Sequence, residues 1–202
     1  GKSDQAQLEN VIAGSQDFFV TGMEFYSGWD PRFGAMSTPF LFRDRAHLEA
    51  FLRSPLFADM RQGLIDAGIR LACTEPNWVT QFDRGILSQS PVTTPADIAG
   101  MKLRMFQSEV PVKSWQGLGA NLVIMPFAEV YTALATGTVV GLTGNATLLF
   151  QGSLYEHIKH FTVTEEYYQV LGPAMSEKTW QSLTPQQQAA IVQACQEVGP
   201  EF

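Results

Sequence analysis

The chain has 202 residues, 45% of them apolar, and its 20 acidic and 13 basic side chains give a formal net charge of -7. That length and apolar share suit one or two globular units with a sizeable core and exclude a disordered chain. The acidic balance, with no basic run and no basic-aromatic interleaving, excludes a nucleic-acid binder, and no apolar segment approaches the roughly 20 residues that a membrane-crossing helix needs.

The opening SDQAQLENVIAG reads as a helix capped by Ser3 and ended by Gly14, followed by a strand in DFFVTGM. A loop, GWDPRFG, leads to TPFLFRD, apolar enough to be core. Helical spacing of Leu48, Phe51 and Leu52 follows, and Ser54-Pro55 breaks that helix and starts another, since serine before proline is a start signal. Gly68 ends it, and IRLACTE is the next strand. In TTPADIAG, Thr94 caps a very short helix, Pro95 suits its first turn, Asp97 stands where a capping-box partner belongs and Gly100 ends it.

In MKLRM, Met101, Leu103 and Met105 alternate with Lys102 and Arg104, the pattern of a half-buried strand. Arg104 therefore points away from the methionine face, near the strand's carboxyl end. A helix is expected after Ser108, a strand in NLVIMP, a helix in PFAEVYTALATG stopped by Gly137, and a strand in TVVGL. Strand, helix, strand, helix, strand is the order of a parallel α/β unit, in which ligands bind outside the carboxyl ends of the strands. An arginine there suits an anion site, and a surface ion pair is the alternative that pattern alone leaves open. Two further helices are expected in SEKTWQSL and TPQQQAAIVQACQEV, the second with a box of Thr184, Pro185 and Gln187.

Little else suggests chemistry. Cys73 and Cys195 have no CxxC spacing, which favours two buried thiols over a disulfide that the sequence alone cannot establish. His157 and His160 lack further ligands at a useful spacing, so surface or packing roles are expected, with no metal and no cofactor. There is no GxSxG, Walker loop, GxGxxG or HExxH of the kinds that mark common enzymes.

The segments PVTTPADIAGMKLRM, LGANLVIMPFAEVYTALATGTVVG and LYEHIKHF, in that order and spacing, resemble the solute-binding receptors of TRAP (tripartite ATP-independent periplasmic) transporters. MPFAEVYTAL is the most specific of them, and STPFLFRD and SEKTWQSLTPQQQAAI extend the likeness over nearly the whole chain. The resemblance implies a two-lobed α/β receptor, periplasmic and monomeric, that is not an enzyme. Such a receptor closes around a small organic acid and presents it to a membrane permease. A sensor of the same fold, or a two-lobed enzyme acting on organic acids, is the alternative.

The resemblance also assigns roles. Arg104 is the arginine that holds the ligand carboxylate by a two-pronged salt bridge. Arg84 falls at a second arginine in the crossing between lobes, with Asp83 beside it; a structural pair with Asp83 or another acid is the competing role. Phe127 packs beside the ligand, and the loop around Met23 and Glu24 belongs to the facing lobe. Trp78 and Tyr168 are candidates for the same wall, core or surface packing being equally open. The chain departs from the pattern at VVGLTGN, where a ligand-contacting asparagine falls on Gly144 with Asn145 one step late. It departs again at Glu165 and Glu166, where relatives often carry asparagine and histidine; these two and Glu24 are expected to be solvated. The implied lobes are residues 1–84 with 169–202, and 85–168, with hinges near Phe82 to Gln89 and Glu165 to Val170. By the same likeness the chain is expected to lack an amino-terminal leader and strand-helix-strand, and further helix beyond Phe202.

Overall fold

The computed structural model describes residues 3–73, 78–79 and 84–199. Its elements are, in order, α1 (Asp4–Ala13), β1 (Phe18–Gly22), α2 (Arg32–Ala35), α3 (Arg45–Leu52), α4 (Pro55–Asp66) and β2 (Ile69–Leu71). There follow β3 (Arg84–Ser88), β4 (Lys102–Met105), α5 (Glu109–Gly117), β5 (Asn121–Ile124), α6 (Val130–Ala135), β6 (Gly141–Asn145), α7 (Leu148–Gln151) and β7 (His160–Val163). The last are β8 (Leu171–Ser176), α8 (Glu177–Ser182) and α9 (Pro185–Val198). Short 3-10 segments at Met23–Gly28, Pro95–Ile98, Phe127–Glu129 and Leu154–Glu156 link them. No helix among the described residues is long and apolar enough to cross a membrane.

The architecture is mixed α/β in two compact units. One is assembled from Lys2–Ser37, Leu41–Gln81 and Tyr168–Phe202, the other from Thr38–Phe40 and Phe82–Tyr167. The first contains a three-stranded antiparallel sheet in the order β1-β8-β2. Its core gathers Leu8 and Val11 of α1, Leu48 and Leu52 of α3, and Phe57, Met60 and Leu64 of α4 around Tyr26 and Phe33. These helices start where the side chains direct: Ser3 accepts the Ala6 N–H, and Ser54 the Phe57 N–H with Pro55 at the first helical position. Each such cap is worth about 1 kcal/mol. The Tyr26 hydroxyl donates to the Gly172 carbonyl, and burial, followed by the nearby Asp4 and Glu24 carboxylates, pushes its pKa well above the usual phenol range.

Three expectations change in this unit and in the segment that leaves and re-enters it at 38–40. GWDPRFG contains a short helix, α2, where a loop is expected. TPFLFRD is only partly core: Phe42 is buried, but Phe40 and Leu41 are exposed, Phe40 with φ of 59°. And Cys73 is joined to Cys195 in a disulfide across 122 residues, not left as a thiol. The bridge staples α9 to the end of β2 in a small cluster with Trp78 and the partly buried Leu171 and Ile191. Local spacing could not reveal it, because the two half-cystines meet only once β8 and α9 are in place.

The second unit contains a five-stranded sheet in the order β5-β4-β6-β3-β7. β4 is parallel to both neighbours, pairing Arg104 with Val123 of β5 and with Leu142 of β6, which is the expected parallel core. β3 runs antiparallel between β6 and β7. A side chain at Gly85 would put Cβ 2.1 Å from the Thr162 carbonyl oxygen, so only glycine lets β7 close against β3 there. The final parallel strand lies at Gly141–Asn145, three residues later than TVVGL suggests, with Val139 buried just before it. Leu87, Val130, Leu134, Val139, Leu142 and Leu154 fill one face.

The turn that delivers the chain into β4 is held by Asp97. Its carboxylate accepts the N–H groups of Thr93 (2.9 Å) and Thr94 (2.8 Å) and both their hydroxyls (3.0 and 3.1 Å). Led by the Thr93 and Thr94 N–H groups, these bonds lower its pKa from 3.8 to about 2.

Two outcomes are expected. Replacing both cysteines by serine lowers the free energy of unfolding by about 2 to 5 kcal/mol, read as a lower urea midpoint; identical midpoints would show that the staple contributes nothing. For Asp97 the folded-state pKa lies below the unfolded one, so its contribution is present above about pH 4 and lost as pH falls through about 2. Asp97→Asn should therefore be less stable than wild type at pH 6, with the difference shrinking between pH 4 and 2.

Candidate functional site

The carboxyl ends of β4 and β6 and the amino end of β3 share one edge of the five-stranded sheet, because β3 is antiparallel to β6. Arg104, next to last in β4, is only 7% exposed. Its neighbours Leu103 and Met105 are fully buried on the opposite face, as the alternation predicts. A guanidinium at that depth needs acceptors and a compatible surface. Arg104 Nε donates to the Met125 carbonyl at 3.0 Å, and its guanidinium lies 5.9 Å from the centre of the Phe127 ring. Phe127 opens the 3-10 turn that follows β5, so the parallel β4–β5 pairing is what brings ring and cation together.

Arg84 begins β3 opposite Asn145 of β6. It is equally buried, and its Nε donates to Glu166 Oε1 at 2.8 Å in an ion pair whose side chains are 9% and 5% exposed. The guanidinium lies over the Tyr167 ring at 4.2 Å and 5.9 Å from that of Phe106, distances at which a ring face attracts a cation. A backbone device sets up the pair. The N–H groups of Thr164 and Glu165 both bond to the Arg84 carbonyl, at 3.0 and 2.9 Å, and Glu165 adopts a φ of 49°. That left-handed residue costs on the order of 1 kcal/mol and reverses the chain so that Glu166 faces Arg84. The second carboxylate oxygen of Glu166 accepts the Thr164 hydroxyl, and its carbonyl accepts the Phe40 N–H at 2.7 Å.

The pattern around VVGLTGN is resolved into two faces. Alternation puts Gly144 on the face of Leu142 and Arg104, and Asn145 on the face of Arg84. A Cβ on Gly144 would lie 2.3 Å from Leu148 Cδ1, so Leu148 of α7 occupies the room that a side chain at 144 would take. Asn145 accepts the Thr147 hydroxyl at 2.7 Å.

The remaining candidates belong to the other unit. Met23 follows β1, its N–H bonded to the Val170 carbonyl at 2.8 Å. Glu24 is 2% exposed and accepts Gln169 Nε2 at 3.0 Å, its carboxylate folded over Gly22. Tyr168 packs against the core that contains Met23 and Val170. Trp78 is 7% exposed and donates its indole N–H to the Cys195 carbonyl at 3.0 Å, the surroundings of a packing residue beside the disulfide. Glu24 and Glu166 are thus buried and hydrogen-bonded, against the expectation of solvated carboxylates; Glu165 is exposed. Asp83 and Phe82, named as a possible partner of Arg84 and a hinge residue, lie outside the described residues. Glu166, Gln169 and Leu148 are contacts that sequence reasoning missed, each depending on a partner far away or on a turn with no glycine to mark it. Among the described residues no three His, Cys, Asp or Glu side chains gather as a metal site, and His157 instead packs edge-on to Tyr131 at 4.9 Å.

Comparison with known proteins gives this edge its context. The 2,3-diketo-L-gulonate-binding periplasmic protein YiaO of Escherichia coli K12 is 32% identical over 196 residues, covering 96% of this chain and 58% of that one. The sialic acid-binding periplasmic protein SiaP of Vibrio cholerae is 28% identical over 201 residues, 97% of this chain and 60% of that one. Among solved structures, a TRAP periplasmic solute binding protein from Sulfitobacter sp. NAS-14.1 with bound β-D-galacturonate superposes with a TM-score of 0.85 at 26% identity, over 98% of this chain and 65% of that one. One from Fusobacterium nucleatum with bound sn-glycerol-3-phosphate gives 0.85 at 29%, over 100% and 64%. The chain spans less than two thirds of the length of each of these relatives. Residues 2–202 match the family described as bacterial extracellular solute-binding protein, family 7, and the chain therefore belongs to this family of TRAP solute-binding proteins, which are receptors and not enzymes.

Proposed function

We propose that this chain is the ligand-binding part of an extracytoplasmic TRAP receptor, holding a small organic acid through a salt bridge between Arg104 and the ligand carboxylate and delivering it to a membrane permease. The observation that carries this reading is a buried guanidinium at the carboxyl end of a parallel strand, with the Phe127 ring beside it. A planar fork of donors matches a carboxylate in two parallel hydrogen bonds, and a partly desolvated setting strengthens both. Arg84 and Asn145 line the same edge, and Phe127 supplies an apolar wall for the carbon skeleton. Met23, Glu24 and Tyr168, which belong to the other compact unit, are kept as further proposed ligand contacts. Trp78, held beside the disulfide, is left to packing.

Relatives named for sialic acid and 2,3-diketo-L-gulonate, and neighbours with bound galacturonate or sn-glycerol-3-phosphate, support a small, hydroxyl-rich anion as the ligand. In this reading the two compact units are the receptor's lobes, and a ligand acts by shifting the equilibrium between their arrangements. The disulfide supports a periplasmic location, since such bonds persist in oxidising compartments.

Arg104→Lys keeps the charge but loses the fork. Removing half of a desolvated, hydrogen-bonded charge pair costs about 2 to 5 kcal/mol, so the Kd for D-galacturonate, by calorimetry, should rise at least about thirtyfold while the thermal unfolding profile is kept. An unchanged Kd would remove Arg104 from the site.

A further inference from the structure

We infer that Glu166 determines the charge of the ligand, by tying down Arg84 so that the site selects acids with one carboxylate over diacids. The inference rests on the proposed role of Arg104 as the carboxylate clamp and adds the partner that decides what the rest of the ligand carries.

Arg104 and Arg84 stand at one sheet edge, on its opposite faces, with only β6 between the strands that bear them, so a ligand lying across the strand ends would meet both, and by themselves they would suit a dianion. The Arg84–Glu166 pair changes that. Nε of Arg84, one of the two donors of its side-on fork, is given to Glu166 Oε1 at 2.8 Å. The other carboxylate oxygen takes the Thr164 hydroxyl, so both oxygens of Glu166 have partners. The pair is a built feature and not a chance surface contact. Its side chains are less than a tenth exposed, and the backbone of 164–166 is bound to Arg84 and Phe40 by three hydrogen bonds. The aromatic rings of Tyr167 and Phe106 sit against the guanidinium.

The electrostatic consequence is direct. An anionic group approaching Arg84 meets a carboxylate already in place, and in a partly dry setting that repulsion offsets the attraction of the guanidinium. Hydroxyl groups meet no such penalty, since carboxylate oxygens accept from them and guanidinium N–H groups donate to them. A ligand with its carboxylate at Arg104 is therefore best completed by neutral hydroxyls toward Arg84 and Glu166. That is a monocarboxylic polyhydroxy acid. Discrimination here comes from a repulsive element, which is how binding sites commonly reject a near relative of their ligand.

D-Galactonate and galactarate test this, because they share six carbons and their hydroxyl configuration and differ only in whether carbon 6 is a hydroxymethyl or a carboxylate. By calorimetry the wild-type chain should bind the monoacid at least about tenfold more tightly than the diacid, and Glu166→Gln should abolish or reverse that ratio by tightening galactarate. A ratio that survives in a folded Glu166→Gln protein overturns the inference. So does a wild-type chain that binds galactarate as tightly as galactonate, a measurement that stands even if the variant fails to fold. No binding of either acid or of D-galacturonate would overturn the carboxylate-clamp reading and this inference with it, an outcome distinct from equal binding of the two.

Discussion

A buried guanidinium must be given acceptors, and the carboxyl edge of the five-stranded sheet is organised around giving them to Arg104 and Arg84. For Arg104 one acceptor is the backbone carbonyl just past the neighbouring parallel strand, so its position is fixed by sheet register. For Arg84 it is a carboxylate 82 residues away, brought in by a left-handed residue and a doubled hydrogen bond to the arginine's own carbonyl. The first solution leaves the cation beside an aromatic ring; the second encloses it between rings and a counter-charge. Removing either partner would leave a charge in a place where water cannot compensate it.

The parallel core of that sheet was legible because each of its signals is local. The Thr94-Pro95-Asp97 turn, the alternation in MKLRM and the glycine after each helix are short patterns with a single physical reading. The caps at Ser3, Ser54 and Thr184 were legible for the same reason, since a side-chain oxygen serves an N–H only three residues on. What was not legible depends on distance. β8 carries Gly172 and Pro173, residues that argue against a central strand, yet it is the middle strand of its sheet. The disulfide and the Arg84–Glu166 pair join residues 122 and 82 apart, and no pattern in the sequence encodes such a meeting.

The candidate site divides along the same line. Arg104 and Phe127 follow from motif and strand order, and the structure brings them together. Asn145 is one residue from where the family pattern asks for it, and in a strand one residue is a change of face. Leu148 fills the place on the Arg104 side that a longer residue at 144 would need. The room and the charge at this edge are thus set partly by a side chain that occupies space and partly by a carboxylate that pairs with a cation, neither of which composition or spacing announces.

The strand order β1-β8-β2 also has a consequence in time. During synthesis from the amino end, β1 and β2 lack the strand that joins them until Leu171–Ser176 arrives between them. The five-stranded sheet, by contrast, has all its strands once residue 163 has been made. One unit is therefore a nearly continuous stretch that can collapse early, while the other depends on a pairing between strands distant in sequence, a slower step. The disulfide, which needs residue 195, can lock that sheet only after this wait is over.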